Sequence, residues 1–134
     1  ESPLLERDFS RFIRIKKVKR HLMAAFVELY VDQGTTFTNT ITLNDDSTNA
    51  NVNISGYLIR SQMRRSYYST NATANFVCTI TDSEYGVIEM SLDAANTANI
   101  KAGRYVFDVE MQDTANVVTR ILEGIITVTP GVTR

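Results

Sequence analysis

A chain of 134 residues, 43% hydrophobic and 22% charged, is long enough to close one hydrophobic core and short for two. No apolar run approaches the length of a membrane-crossing helix, and the single cysteine, Cys78, excludes an intramolecular disulfide and a thiolate metal cluster. The net charge of −1 hides an uneven spread, because residues 1–22 carry seven Lys or Arg against three acids while the remainder carries seven against twelve.

The first 22 residues, ESPLLERDFSRFIRIKKVKRHL, differ in kind from the rest of the chain. Phe9, Phe12, Ile13 and Ile15 interleave with Arg11, Arg14, Lys16 and Lys17 without a clean period of 2 or 3.6. The segment reads as a basic N-terminal arm, helical or extended, that gains its order from a partner. The chain begins at Glu1 with none of the regions of a secretory leader, which implies that a beginning has been removed.

From Met23 the pattern changes to short alternating runs broken by turn residues, the rhythm of sandwiches and barrels. Strands are predicted over 26–31, with Val27, Leu29 and Val31 on one side, and over 36–43, with Phe37, Ile41 and Leu43 sharing a parity. Val52 and Ile54 predict a short strand before a bend or bulge at Gly56. A strand over 57–64 alternates Tyr57, Ile59, Ser61 and Met63 with Leu58, Arg60, Gln62 and Arg64, and one of its faces is wet. Strands over 75–81 and 87–92 turn Phe76, Cys78, Ile80, Ile88, Met90 and Leu92 inward. Residues 93–100 predict one helical turn capped by Asp93 or a neighbour.

The clearest strand is 104–112, where Tyr105, Phe107, Val109 and Met111 alternate with Val106, Asp108, Glu110 and Gln112. A slip of one residue would bury Asp108 and Glu110, so the pairing of this strand is strongly specified. A turn at 113–116 returns the chain as a long strand over 117–129, which Gly124 is expected to kink and Pro130 to end. Short strands without a βαβ rhythm predict an all-β fold. The expected architecture is an immunoglobulin-like antiparallel β-sandwich of about seven to eight strands over residues 23–134, with the arm of residues 1–22 as an N-terminal extension.

The residues supply little that would do chemistry. The one histidine, His21, stands among Lys19 and Arg20 in the arm, a poor setting for a general base. Cys78 shares the parity of Phe76 and Ile80 and reads as a buried inert thiol. Asn44, Asp45, Asp46 and Asn49 could offer oxygens to calcium, but they lack the glycine and closing glutamate of an EF-hand loop and read better as a turn. The expectation is a protein that is not an enzyme and needs no cofactor or metal.

The arm is the sharpest functional feature. Arg14, Lys16, Lys17, Lys19 and Arg20 could neutralise phosphates of a nucleic acid. With Phe9, Phe12 and Ile15 as apolar anchors among the charges, an acidic surface on a neighbouring protein subunit is the better fit, ahead of a nucleic acid or of a tail without a role.

An order of phrases runs from Met23 to the end: FVELYVDQGTTFTNTITL, then ISGYLIRSQMRRS, then AGRYVFDVEM, and last VVTRILEGIITVTPGVTR. In this order the chain resembles a family of small phage virion proteins with an immunoglobulin-like domain, similar to the N-terminal domain of baseplate upper proteins. The last phrase is the most specific, with Val118-Thr119-Arg120, Leu122-Glu123-Gly124 and the closing Val-Thr-Pro in sequence. The arm departs from that pattern. The resemblance implies a structural protein of the virion, in tail, baseplate or fibre attachment, that contacts other virion proteins and forms a symmetric oligomer. Two alternatives stand beside it. One is a capsid or decoration protein with a basic arm. The other is a receptor- or carbohydrate-binding module of a tail fibre, using Arg64, Arg65, Tyr67 and Tyr68.

Overall fold

The strand with the clearest alternation lies in the interior of the larger sheet. β8 (Gly103–Gln112) buries Tyr105, Phe107, Val109 and Met111 and leaves the residues between them on the outer face, as a side-chain period of two requires. The structure is a computed structural model, and it describes residues 12–17, 25–45 and 50–133. A five-stranded sheet runs in the order β2 (Ala25–Asp32), β9 (Val118–Thr129), β8, β4 (Leu58–Arg64), β5 (Ala74–Asn75). A four-stranded sheet runs β1 (Phe12–Lys17), β3 (Phe37–Asp45), β7 (Val87–Leu92), β6 (Val77–Asp82). Their inner faces share one core, with Leu29, Met63, Phe107 and Ile126 from the first sheet and Ile41, Leu43, Ile88 and Met90 from the second. The fold is thus an all-β sandwich.

Antiparallel pairing dominates, and each sheet also contains one parallel pair. β1 runs beside β3 from Phe12↔Thr40 to Lys17↔Asp45, and β2 runs beside β9 from Ala25↔Leu122 to Asp32↔Thr129. The strand expected over 75–81 is two strands in different sheets. The chain changes sheets at Phe76, whose N–H donates to the Ser61 carbonyl at 3.0 Å. Its ring lies 5.8 Å from Phe37 and 6.4 Å from Phe107, an arrangement worth about 0.5–1.5 kcal/mol per pair beyond area burial.

The strand expected at Val52 and Ile54 does not form. The Val52 N–H donates to Leu43 and the Ile54 N–H to Ser83, so the segment divides its bonds between two partners while still burying Ile54. Gly56 occupies the adjoining turn, at φ +80°, rather than a bulge. The helical turn is present as α1 (Ala94–Ala98), with the Asp93 carboxylate accepting from the Asn96 N–H at 2.8 Å. Thr97 is fully buried and ties this helix to the β2–β3 turn, donating to the Thr35 carbonyl at 2.7 Å and accepting from the Gly34 N–H at 3.1 Å.

Gly124 does not kink β9. The irregularity lies three residues earlier, where Val109 pairs with Leu122 but Glu110 pairs with Arg120. Ile121 is the extra residue, and both it and Leu122 reach the core. Gly124 answers a different need, because a Cβ there would run into the Val27 carbonyl of β2. Only a hydrogen at this position lets the parallel edge strand come to pairing distance.

Asn39 shares the inward parity of Ile41 and Leu43 and is 1% exposed, yet neither its Nδ2 nor its Oδ1 has a hydrogen-bond partner. A buried polar group left unpaired costs about 1–3 kcal/mol. Asn39→Leu should therefore raise the stability by about 1 kcal/mol or more, read as a higher urea midpoint, and a lower midpoint would show that the amide is satisfied in solution. Gly124→Ala should act the other way, displacing β2 at a cost of at least about 2 kcal/mol. Denaturation curves of the two variants check both signs.

Candidate functional site

The candidates for chemistry do not converge. His21 lies outside the described residues. Cys78 is half-buried on β6 beside the core, and desolvation pushes its thiol from 9.0 up to about 11. Among the described residues no three His, Cys, Asp or Glu gather as a metal site. Of the four oxygen donors Asn44, Asp45, Asp46 and Asn49, the first two end β3, and Asp46 and Asn49 lie outside the described residues. Asn44 forms a single antiparallel bridge to Asn51, and the Asn51 amide donates to the Tyr85 carbonyl at 2.8 Å. The described ends of this segment thus pair with each other.

Of the arm candidates, Phe9, Lys19 and Arg20 lie outside the described residues. Phe12, Arg14, Ile15, Lys16 and Lys17 fall on β1, an outer strand of the four-stranded sheet. In register, Ile13 and Ile15 stand opposite Ile41 and Leu43, and Lys16 and Lys17 opposite Asn44 and Asp45. Part of the arm is therefore a strand built onto the sandwich.

A second surface emerges on the outside of the five-stranded sheet. The outward residues of β4 and β8, with Arg120 of β9, form the wall and floor of an open groove of about 520 Å³, and Asn75 and Tyr67 also line it. Register explains who meets whom. Gln62 pairs with Asp108, Arg60 with Glu110, and, across the bulge, Glu110 with Arg120. Arg60 Nη2 lies 3.3 Å from Glu110 Oε1, and Arg120 bridges Asp108 through Nε at 3.2 Å and Glu123 through Nη1 at 3.4 Å. Exposed pairs of this kind add only about 0–1 kcal/mol each, so their main effect is to hold the side chains in place.

The groove also has a built rim. The Arg64 guanidinium donates to the Ser69 and Thr70 carbonyls at 3.0 and 3.1 Å and to Gln62 Oε1 at 3.0 Å. Gln62 Nε2 in turn donates to Asn75 Oδ1 at 2.6 Å. The Ser66 and Tyr68 N–H groups are taken up by the Ser69 and Ser66 hydroxyls at 3.0 and 3.3 Å. This network fixes the loop that carries Tyr67, 56% exposed, and Tyr68, 96% exposed. The four residues expected to act together in MRRSYY separate: Arg64 and Tyr67 line the groove, Tyr68 projects away, and Arg65 turns back over the Tyr105 ring at 5.1 Å from its centroid. Alternation marks Arg60, Gln62, Asp108 and Glu110 as outward, but only cross-strand register unites them with Asn75 and Arg120.

A scan against family models finds no match, and no curated protein matches in sequence. Among solved structures, the N-terminal domain of phage TP901-1 ORF48 superposes with a TM-score of 0.48 at 9% identity, over 87% of this chain and 97% of that one. A Listeria monocytogenes internalin-like protein superposes at 0.43 with 14% identity, over 87% of this chain and 30% of that one. PbICP-C, from its complex with falcipain-2, gives 0.46 at 10% identity, over 90% of this chain and 99% of that one.

The raised thiol pKa of Cys78 has two measurable consequences. At pH 8 a thiol reagent should label the folded chain on the order of 100-fold more slowly than the denatured chain, because thiolate is the reacting species. Since the folded state favours the neutral thiol, this stabilisation is fully present below the unfolded pKa. It is lost as pH rises from 9.0 towards about 11. Equal labelling rates in the two states would contradict the burial of this side chain.

Proposed function

We propose that this chain is a structural part of a phage particle, in tail, baseplate or fibre attachment, and that it acts by holding a position against neighbouring subunits rather than by catalysis. The phrase order from Met23 onward supports the placement. The observation that carries the mode of action is β1, six residues of the basic arm added to the sandwich as an outer strand.

Among the described residues β1 has one paired neighbour, β3. The edge strand of a sheet is a natural assembly site for a strand or loop of an adjacent chain. Charge favours the same arrangement. Seven cations against three acids in residues 1–22 face an excess of acids, twelve to seven, in the rest of the sequence. A basic head on one copy and an acidic body on the next suit head-to-tail contacts around a ring, whose rotation closes the assembly.

The test is incorporation into particles. A chain lacking residues 1–22 should be depleted from purified virions. A second variant, with Arg14, Lys16, Lys17, Lys19 and Arg20 all changed to Gln, should keep the sandwich's circular dichroism spectrum and melting behaviour and still incorporate poorly. Full incorporation of the Gln variant would overturn the arm's assembly role, and absence of the native chain from particles would overturn the placement itself.

A further inference from the structure

We propose that the groove on the outside of the five-stranded sheet is a binding site for a neutral saccharide. The inference is independent of the arm and of the particle placement, and begins from charge. Three guanidinium groups border the groove, those of Arg60, Arg64 and Arg120. Against them stand the carboxylates of Asp108 and Glu110, with Glu123 held alongside by Arg120. The lining itself carries three cations and two anions, Glu123 beside it makes the numbers equal, and Arg60 and Arg120 are bridged to carboxylates at 3.2–3.4 Å. A phosphate backbone or sulfated chain, which needs a run of unpaired cations, would meet carboxylates beside two of the three guanidinium groups here.

What the groove does have is hydrogen-bonding capacity of both kinds. Each guanidinium has five N–H donors and each carboxylate about four acceptor sites, so one or two bridges leave donors and acceptors side by side. A sugar hydroxyl both donates and accepts, and neighbouring hydroxyls on one ring match such planar arrays. Tyr67 on the rim adds an aromatic body of the kind that meets the C–H face of a sugar, and a hydroxyl at its tip.

Competing occupants fit less well. An extended peptide binds a sheet by adding to an unpaired edge. The groove lies over β4, β8 and β9, where β8 is paired on both sides, so no free edge is offered at its centre. A purely apolar ligand would leave the guanidinium and carboxylate groups dry and unpaired. The volume of about 520 Å³ is that of an ordinary small-ligand site. Preorganisation completes the case: Gln62 is clamped between Asn75 and Arg64, and Arg64 also fixes the loop bearing Tyr67. Little side-chain freedom remains to be lost on binding.

The test applies the full chain to an array of neutral and anionic glycans, with maltohexaose, chitotetraose and a heparin-derived hexasaccharide then titrated into the isotope-labelled protein by NMR. The expected result is binding of at least one neutral oligosaccharide. Its amide shifts should map to residues 60–64, Tyr67, Asn75 and 108–110. Tyr67→Ala and Gln62→Ala should each weaken that binding about fivefold or more, with the rest of the spectrum unchanged. Tyr68→Ala, outside the groove, should bind as the native chain does. Overturning results are an array with no neutral ligand, shifts confined to another surface, or binding of the anionic glycans alone. None of these outcomes would touch the particle placement.

Discussion

The register of β8 between β4 and β9 is the constraint on which both faces of the larger sheet depend. In the observed register Tyr105, Phe107, Val109 and Met111 enter the core while Asp108 and Glu110 stand outside. Displaced by one residue, the strand would send two carboxylates into the apolar interior and four large apolar side chains into water. Each fully buried apolar side chain is worth about 1.5–3 kcal/mol, and an unpaired buried charge costs more still. The alternative register is therefore strongly disfavoured before any turn contributes. The same register brings Asp108 to Arg120 and Glu110 to Arg60, so the groove is the outer consequence of the packing inside.

One residue adjusts the match between the two halves of that arrangement. Ile121 is extra in β9 relative to β8, and the bulge lets Ile121 and Leu122 both face the core. It also sets Arg120 opposite Glu110, within reach of Asp108 and Glu123. Without it, strict alternation would carry Arg120 to the same face as Leu122. Bulges commonly re-aim a side chain beside a site in this way, and here the guanidinium so placed bridges two carboxylates.

Much of this was legible in the residues. The inward sets of β2, β7 and β8, the Asp93 cap and the stop at Pro130 all stem from local alternation and turn chemistry, which depend on neighbours in sequence. What was not legible depends on partners far along the chain. The sheet change at Phe76 is set by aromatic contacts with Phe37 and Phe107. The role of Gly124 is set by the Val27 carbonyl, 97 positions away in sequence from its own place in β9. Asn39, polar on a core face, contradicts the pattern it sits in. For the groove, MRRSYY was visible as an aromatic and basic segment, but Asn75, Asp108, Glu110 and Arg120 join it only through strand pairing.

The two surfaces have different physical characters. β1 offers a backbone edge on a cationic segment, suited to a neighbouring chain. The groove offers fixed, charge-balanced side chains, suited to an uncharged polar ligand. Both depend on the sandwich keeping its register, and the most direct measurement is the pattern of cross-strand nuclear Overhauser contacts along β8. The expected contacts join Tyr105 to Ile126, Val109 to Leu122 and Glu110 to Arg120, and Ser61 to Val109 on the other side. Contacts displaced by one residue along β8, or the absence of the step at Ile121, would contradict the shared origin of core and groove.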